Sequence, residues 1–191
     1  MTSETGIGTR AFFRAFLDNP RYVASAVPSG RSLSALMVRD LPHHGPIVEL
    51  GPGSGVFTQA MLARGISETD LHLVERHPDF ARKLTINFPR ATIHNGDAGR
   101  LPSLLGGSEI AAVVSGLPLL SLPKATTFRI LEGAFRLLAP GAMFVQFTYG
   151  PKSPVPKAMA ERLGLSVSYA GATLRNLPPA RVYHIRRRHE A

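Results

Sequence analysis

The chain of 191 residues contains no cysteine. That excludes disulfides, Cys-ligated zinc and a thiol nucleophile, and it fits a reducing compartment. No stretch reaches the ~20 apolar residues that span a bilayer. The longest candidate, around Ile110 to Leu122, is interrupted by Gly116 and Pro118. The opening residues, MTSETGIGT, lack a basic segment followed by an apolar one, so no signal peptide is expected. Internal repeats and low-complexity tracts are absent, and the histidines do not fall at metal-ligand spacing. Acidic residues are scarce: 13 Asp and Glu face 22 Lys and Arg, for a formal net charge of +9. Such a surplus predicts attraction to a polyanion, nucleic acid or an anionic bilayer, and charge alone does not choose between them. A cytoplasmic protein, peripheral on the inner membrane face, is the expectation.

Apolar residues make up 44% of the chain, enough for one globular domain with a sizeable core. From about Pro46 onward short apolar runs alternate with helical patterns. PIVEL (46–50), LHLVE (71–75), ATIHN (91–95), AAVVS (111–115), MFVQFTY (143–149), LSVSYA (165–170) and RVYHIRR (181–187) read as strands. GVFTQAMLARG, HPDFARKLTINF, KATTFRILEGAFRLL and VPKAMAERLG read as helices. In the third of these, Leu131, Ala134, Phe135 and Leu138 share one face, and Ala139-Pro140-Gly141 stops it. The alternation implies a largely parallel α/β sheet covered on both faces. The last two strands, joined by Asn176-Leu177-Pro178-Pro179 without a helix, should form an antiparallel pair at one end. Residues 1–45 form a helical extension ahead of this sheet domain, 46–191. Within it, Ser32, Leu33, Leu36 and Met37 suit a helix beginning after Pro28-Ser29-Gly30.

The stretch VELGPGSGVFT (48–58) ends a strand and opens a helix. Gly51, Gly53 and Gly55 allow a sharp turn and close backbone approach to a ligand. A dinucleotide fingerprint would place its third glycine where Val56 stands, and a P-loop needs a Lys-Ser/Thr pair that is missing. A pyrophosphate would be repelled by Glu49. A cationic ligand would not, and S-adenosylmethionine carries a sulfonium and an ammonium. Glu75, with Arg76 beside it, ends the next strand, where a carboxylate accepts hydrogen bonds from ribose hydroxyls. Asp97 follows the third strand and suits an adenine amino group, with the Ala98 N–H near the ring. Three markers at successive strand ends are far more specific than one glycine-rich turn.

These residues resemble class I S-adenosylmethionine-dependent methyltransferases, whose Rossmann-like sheet has seven strands. Within that group the chain looks most like the bacterial phospholipid N-methyltransferases related to the rRNA adenine dimethyltransferases. The likeness runs through FFRAFLDNPRYVASAVPSG, ELGPGSGVFT, SGLPLL, FTYGPKSPVP and NLPPARVY. It implies stepwise methylation of phosphatidylethanolamine towards phosphatidylcholine by an enzyme held to the membrane through its N-terminal helix. The alternatives are an RNA adenine-N6 methyltransferase and a non-catalytic basic module binding membrane or RNA. Many amino-group methyltransferases carry Asn-Leu-Pro-Tyr where this chain has Gly116-Leu117-Pro118-Leu119. Without the aromatic ring a flipped base lacks its stacking platform, so nucleic acid is the less favoured partner. The rRNA enzymes typically continue into a helical domain that helps hold RNA, whereas this sequence ends after its last strand.

Near the N-terminus Phe12, Phe13 and Phe16 share a broad helical face edged by Leu17, with Arg10 and Arg14 on another. This is the pattern of a basic amphipathic helix in a membrane interface; core packing against the sheet is the competing reading. Ser29 falls where related enzymes place polar groups near the methionine carboxylate, unless it is an ordinary N-cap. No His–carboxylate pair is placed to deprotonate an amine. Tyr22 and Tyr149 are the candidates to accept from the amine and to stabilise the growing cation with their rings. The Ser115 carbonyl is a candidate to hold the remaining N–H. Lys152, Arg175 and Arg181 are candidates for a lipid phosphate, with surface charge the plainer reading.

Overall fold

Each apolar run becomes a strand in the computed structural model, which describes residues 27–149, 151–173 and 179–188. The strands are β1 (Ile47–Leu50), β2 (Leu71–Glu75), β3 (Thr92–Asn95), β4 (Ile110–Ser115), β5 (Leu138–Tyr149), β6 (Leu165–Thr173) and β7 (Ala180–Arg187). They form one seven-stranded sheet in the order β3-β2-β1-β4-β5-β7-β6. The first five neighbours run parallel. β7 lies between β5 and β6 and is antiparallel to both, so the last two strands form the antiparallel pair expected at one end.

The described helices are α1 (Val27–Val38), α2 (Val56–Ala63), α3 (Pro78–Asn87), α4 (Leu101–Leu104), α5 (Lys124–Leu137) and α6 (Lys157–Arg162). β1 is wholly buried because helices cover both of its faces. On one face Val48, Leu50, Val113 and Phe144 pack with Ile130, Leu131, Ala134 and Phe135 of α5. On the other, Ile47, Leu73, Val114 and Val145 pack with Leu33, Met37 and Val38 of α1. A side chain such as Leu131 or Met37 contributes roughly 1.5–3 kcal/mol by leaving water. Among the described residues no helix is long and apolar enough to cross a membrane.

Two boundaries differ from expectation. α1 begins at Val27, so Pro28, Ser29 and Gly30 lie in its first turn instead of before it. Proline is tolerated there because the first-turn amides have no intrahelical acceptor. Secondly, α5 ends at Leu137 and β5 starts at once, so Ala139-Pro140-Gly141 belongs to the strand. The β4–β5 pairing shifts register between Ile110 and Ala112, and Gly141 takes a φ of 79°. The triplet works as a bulge at the entry to β5.

Candidate active site

β1, β2, β3, β4 and β5 all deliver their carboxyl ends to one edge of the sheet, where open α/β folds bind ligands. β1 leads into α2 through a turn in which Gly51, Gly53 and Gly55 have φ of 68°, 55° and 81°. Other residues rarely adopt these angles. At two positions space is also short. A Cβ on Gly51 would lie 2.7 Å from Leu117 Cδ2, and one on Gly55 would lie 2.6 Å from the Phe88 ring.

Glu49, fully buried, sits just before this turn and receives the Thr58 hydroxyl of α2 on Oε2. Its Oε1 has no partner. Burial pushes its pKa up to about 8, with the neighbouring Glu75 charge adding to the effect and the Thr58 bond opposing it. Burial thus favours the protonated form at neutral pH, and a cationic group beside Oε1 would favour the carboxylate.

Glu75 is tied down on both oxygens. Gly53 N–H donates to Oε2 at 3.1 Å and His77 N–H to Oε1 at 2.8 Å. The carboxylate thus fixes the glycine turn against the end of β2, while each oxygen retains a second lone pair for a ribose hydroxyl. Arg76 is exposed, and its carbonyl accepts from Asn95 Nδ2 at 3.2 Å. The same amide nitrogen donates to the Glu75 carbonyl at 2.9 Å, which locks the β3 end beside β2. Asp97 caps the short 3-10 turn Ala98–Arg100 through a 2.9 Å bond from Gly99 N–H. Ala98 is buried beneath that turn. The acids expected for the donor therefore stand at three successive strand ends.

The lip follows β4. Ser115 is buried and its hydroxyl accepts from Leu117 N–H at 3.3 Å. Gly116 N–H donates to the Leu50 carbonyl at 2.8 Å, and a Cβ on Gly116 would stand 2.8 Å from the Gly51 carbonyl. The polar side chain that related enzymes carry at this position has no room here. Leu117 leans on the glycine turn, so the lip and the cofactor turn share one contact. Pro118, Leu119, Leu120 and Ser121 line a recess of about 40 Å³ closed by Phe147, Thr148 and Tyr149 from β5. The Phe57, Phe147 and Tyr149 rings run edge to face, at 5.9 Å and 5.4 Å. Tyr149 thus lines the recess.

Tyr22 and the basic amphipathic segment (Arg10, Phe12, Phe13, Arg14, Phe16 and Leu17) lie outside the described residues. The backbone of Ser29 is helical, as the third residue of α1. Three β5 residues went unnoticed in the sequence: Gln146, Phe147 and Thr148. Gln146 was findable, as the one amide within the apolar run MFVQFTY. Thr58, two residues into α2, carried no signal beyond helical spacing.

The residues present fit S-adenosylmethionine: left-handed glycines for close approach, a buried unpaired carboxyl oxygen for a cationic group, and an anchored acid for a ribose. No family model matches the chain. It is 33% identical over 183 residues to an ornithine lipid N-methyltransferase of Singulisphaera acidiphila, covering 92% of this chain and 94% of that one. In fold it is similar to a TehB-like S-adenosylmethionine-dependent methyltransferase from Corynebacterium glutamicum, at TM-score 0.67 and 18% identity, over 94% of this chain and 100% of that one. It is also similar to the 1,6-didemethyltoxoflavin-N1-methyltransferase of Burkholderia thailandensis, solved with S-adenosylhomocysteine, at TM-score 0.68 and 15% identity, over 94% and 87%. The chain is a class I S-adenosylmethionine-dependent methyltransferase and belongs to the family of the ornithine lipid enzyme.

Proposed function

We propose that the chain methylates the primary amine of an amino-lipid headgroup at an anionic membrane surface. The observation that carries this reading is the recess: small, walled by leucines and two aromatic rings, and fed by a lip with no side-chain amide. Its lining of Pro118, Leu119, Leu120, Phe147 and Tyr149 is largely apolar, which suits a methylated amine. The relative's ornithine lipid supplies such an amine, and so does phosphatidylethanolamine, to which the sequence motifs point. The ornithine lipid is the first substrate to test, and phosphatidylethanolamine with its methylated derivatives the second.

The cofactor supplies a methyl group made electrophilic by its sulfonium. The protein must bring a neutral amine into line with that methyl, so positioning dominates the rate. With the cofactor bound, the amine nitrogen would become cationic on taking the methyl, the C–S electron pair staying with sulfur. Phe147 and Tyr149 put ring faces and edges beside that nitrogen, and ring faces attract a cation. Leu117, wedged on Gly51, keeps lip and cofactor turn in fixed relation.

The deciding experiment is methyl transfer from labelled cofactor to vesicles containing ornithine lipid, vesicles containing phosphatidylethanolamine, and RNA. Label in either lipid with silent RNA is expected. Labelled RNA with silent lipids would replace this reading with the RNA adenine-N6 one. Cofactor binding without transfer to any amine would point to a non-catalytic module.

A further inference from the structure

Gln146 stands opposite Ser115 in the β4–β5 pairing and is 1% exposed. Its Nε2 donates twice, to the Leu117 carbonyl at 2.9 Å and to the Phe147 carbonyl at 2.8 Å. Two carbonyl acceptors fix the amide orientation, because the flipped amide would set its oxygen against both. Oε1 therefore points away from them, and it has no donor. Buried acceptors are rarely left so, since each costs about 1–3 kcal/mol when unpaired.

Its surroundings limit what can fill it. Leu117, which it holds, begins the lip, and Phe147, which it also holds, walls the recess. Gly116 has no space for a side chain beside the Gly51 carbonyl. The Ser115 hydroxyl accepts from Leu117 N–H, and the Thr148 hydroxyl donates to the Lys152 carbonyl at 3.1 Å. Among the described residues, Gln146 Oε1 is the buried side-chain acceptor without a partner on this side of the site, Glu49 Oε1 lying under the cofactor turn.

We propose that Gln146 Oε1 accepts an N–H from the substrate amine and does the work of the side chain that the lip lacks. This rests on the amino-lipid reading. Oε1 is buried, so its engagement by the amine requires local movement of the residues that cover it. The bond makes the residue selective for degree of methylation. A neutral primary amine in attack has two N–H groups to offer, a monomethyl amine has one, and a dimethyl amine has none. Gln146 thus promotes the first two transfers and contributes nothing to a third.

The test compares wild type with Gln146→Met, which keeps length and volume but removes the acceptor. Vesicles carry one amino lipid as its primary, monomethyl or dimethyl form, and kcat/KM is measured on each. The variant should lose about tenfold on the primary and monomethyl forms, the worth of one or two hydrogen bonds. The dimethyl form, which offers no N–H, should lose clearly less than the other two, any loss on it reporting the two Nε2 bonds that hold Leu117 and Phe147. If wild type does not turn over the dimethyl form, its inhibition constant takes that place and should shift less than the other two. Gln146→Glu, neutral when buried, retains one acceptor and one donor and should keep the wild-type order. Gln146→Leu substitutes if the Met variant fails to fold. An equal loss on all three amines would make Gln146 only a strut for the lip and overturn the proposal, with the amino-lipid reading intact. A wild type that methylates none of the three would sink both.

Discussion

Glu49 holds its proton because it is buried, with the Glu75 charge adding to the effect. A positive ligand near Oε1 reverses the preference and drives the proton out. Cofactor binding at neutral pH should then release protons and tighten as pH rises towards about 8. Calorimetry in buffers of different ionisation enthalpy measures that release directly; a buffer-independent heat would contradict it. Glu49→Gln should abolish the release and weaken cofactor binding by about tenfold or more, the worth of a charge-assisted bond. The same raised pKa acts on the ligand-free fold. Folded Glu49 binds its proton more tightly than unfolded Glu49, whose ordinary value is 4.5. The associated stability is complete below that value and is lost as pH rises through about 8, so melts should drop over this window. At the lip, Gly116→Asn is expected to lose transfer instead of gaining a base-methylating activity, because its Cβ would strike the Gly51 carbonyl at 2.8 Å. Activity on RNA in that variant would refute the steric account.

Which elements carry the site was readable from period and punctuation: all seven strands lie where short apolar runs were read, and the glycine turn follows the first of them. Less readable was what each β5 residue does. MFVQFTY announces a buried strand, yet the roles of Gln146 and Phe147 depend on the lip of β4, which spacing along the chain does not reveal. The start of β5 was also hidden, since Ala139-Pro140-Gly141 is a helix stop by composition and a bulge by pairing. Likewise α1 has weak local signals but strong tertiary ones. Arg64, after α2, donates to the Val38 carbonyl at 2.6 Å and the Leu41 carbonyl at 2.9 Å. It ties the end of α2 to the last residue of α1 and to Leu41 just beyond it, the Val38 carbonyl also accepting from Leu41 N–H at 3.3 Å. Arg64→Met should cost roughly 1.5–3 kcal/mol, as charged hydrogen bonds do. Its melting temperature should fall while cofactor affinity in the folded protein stays put; an unchanged melt would mean water replaces the guanidinium.

At the scale of the molecule the net charge of +9 acts over about 10 Å in dilute salt and over less as salt rises. Retention on anionic vesicles should weaken with salt, and sedimentation across a salt series measures it. Phe12→Asp combined with Phe16→Asp should release the protein from vesicles at low salt while leaving cofactor affinity unchanged. Sedimentation unaltered by the pair would assign membrane attachment to another surface. The order of the sheet has its own consequence. β5, the bearer of Gln146 and Tyr149, borders β4 on one flank and, on the other, β7, whose pairing partners arrive some thirty residues later. A nascent polypeptide halted ahead of Ala180 would leave that flank of β5 bare, however well its glycine turn had formed. Synthesis must pass Arg187 before β5 is paired along both flanks, so the half of the sheet that bears Tyr149 is completed only after translation has gone by the glycine-turn half.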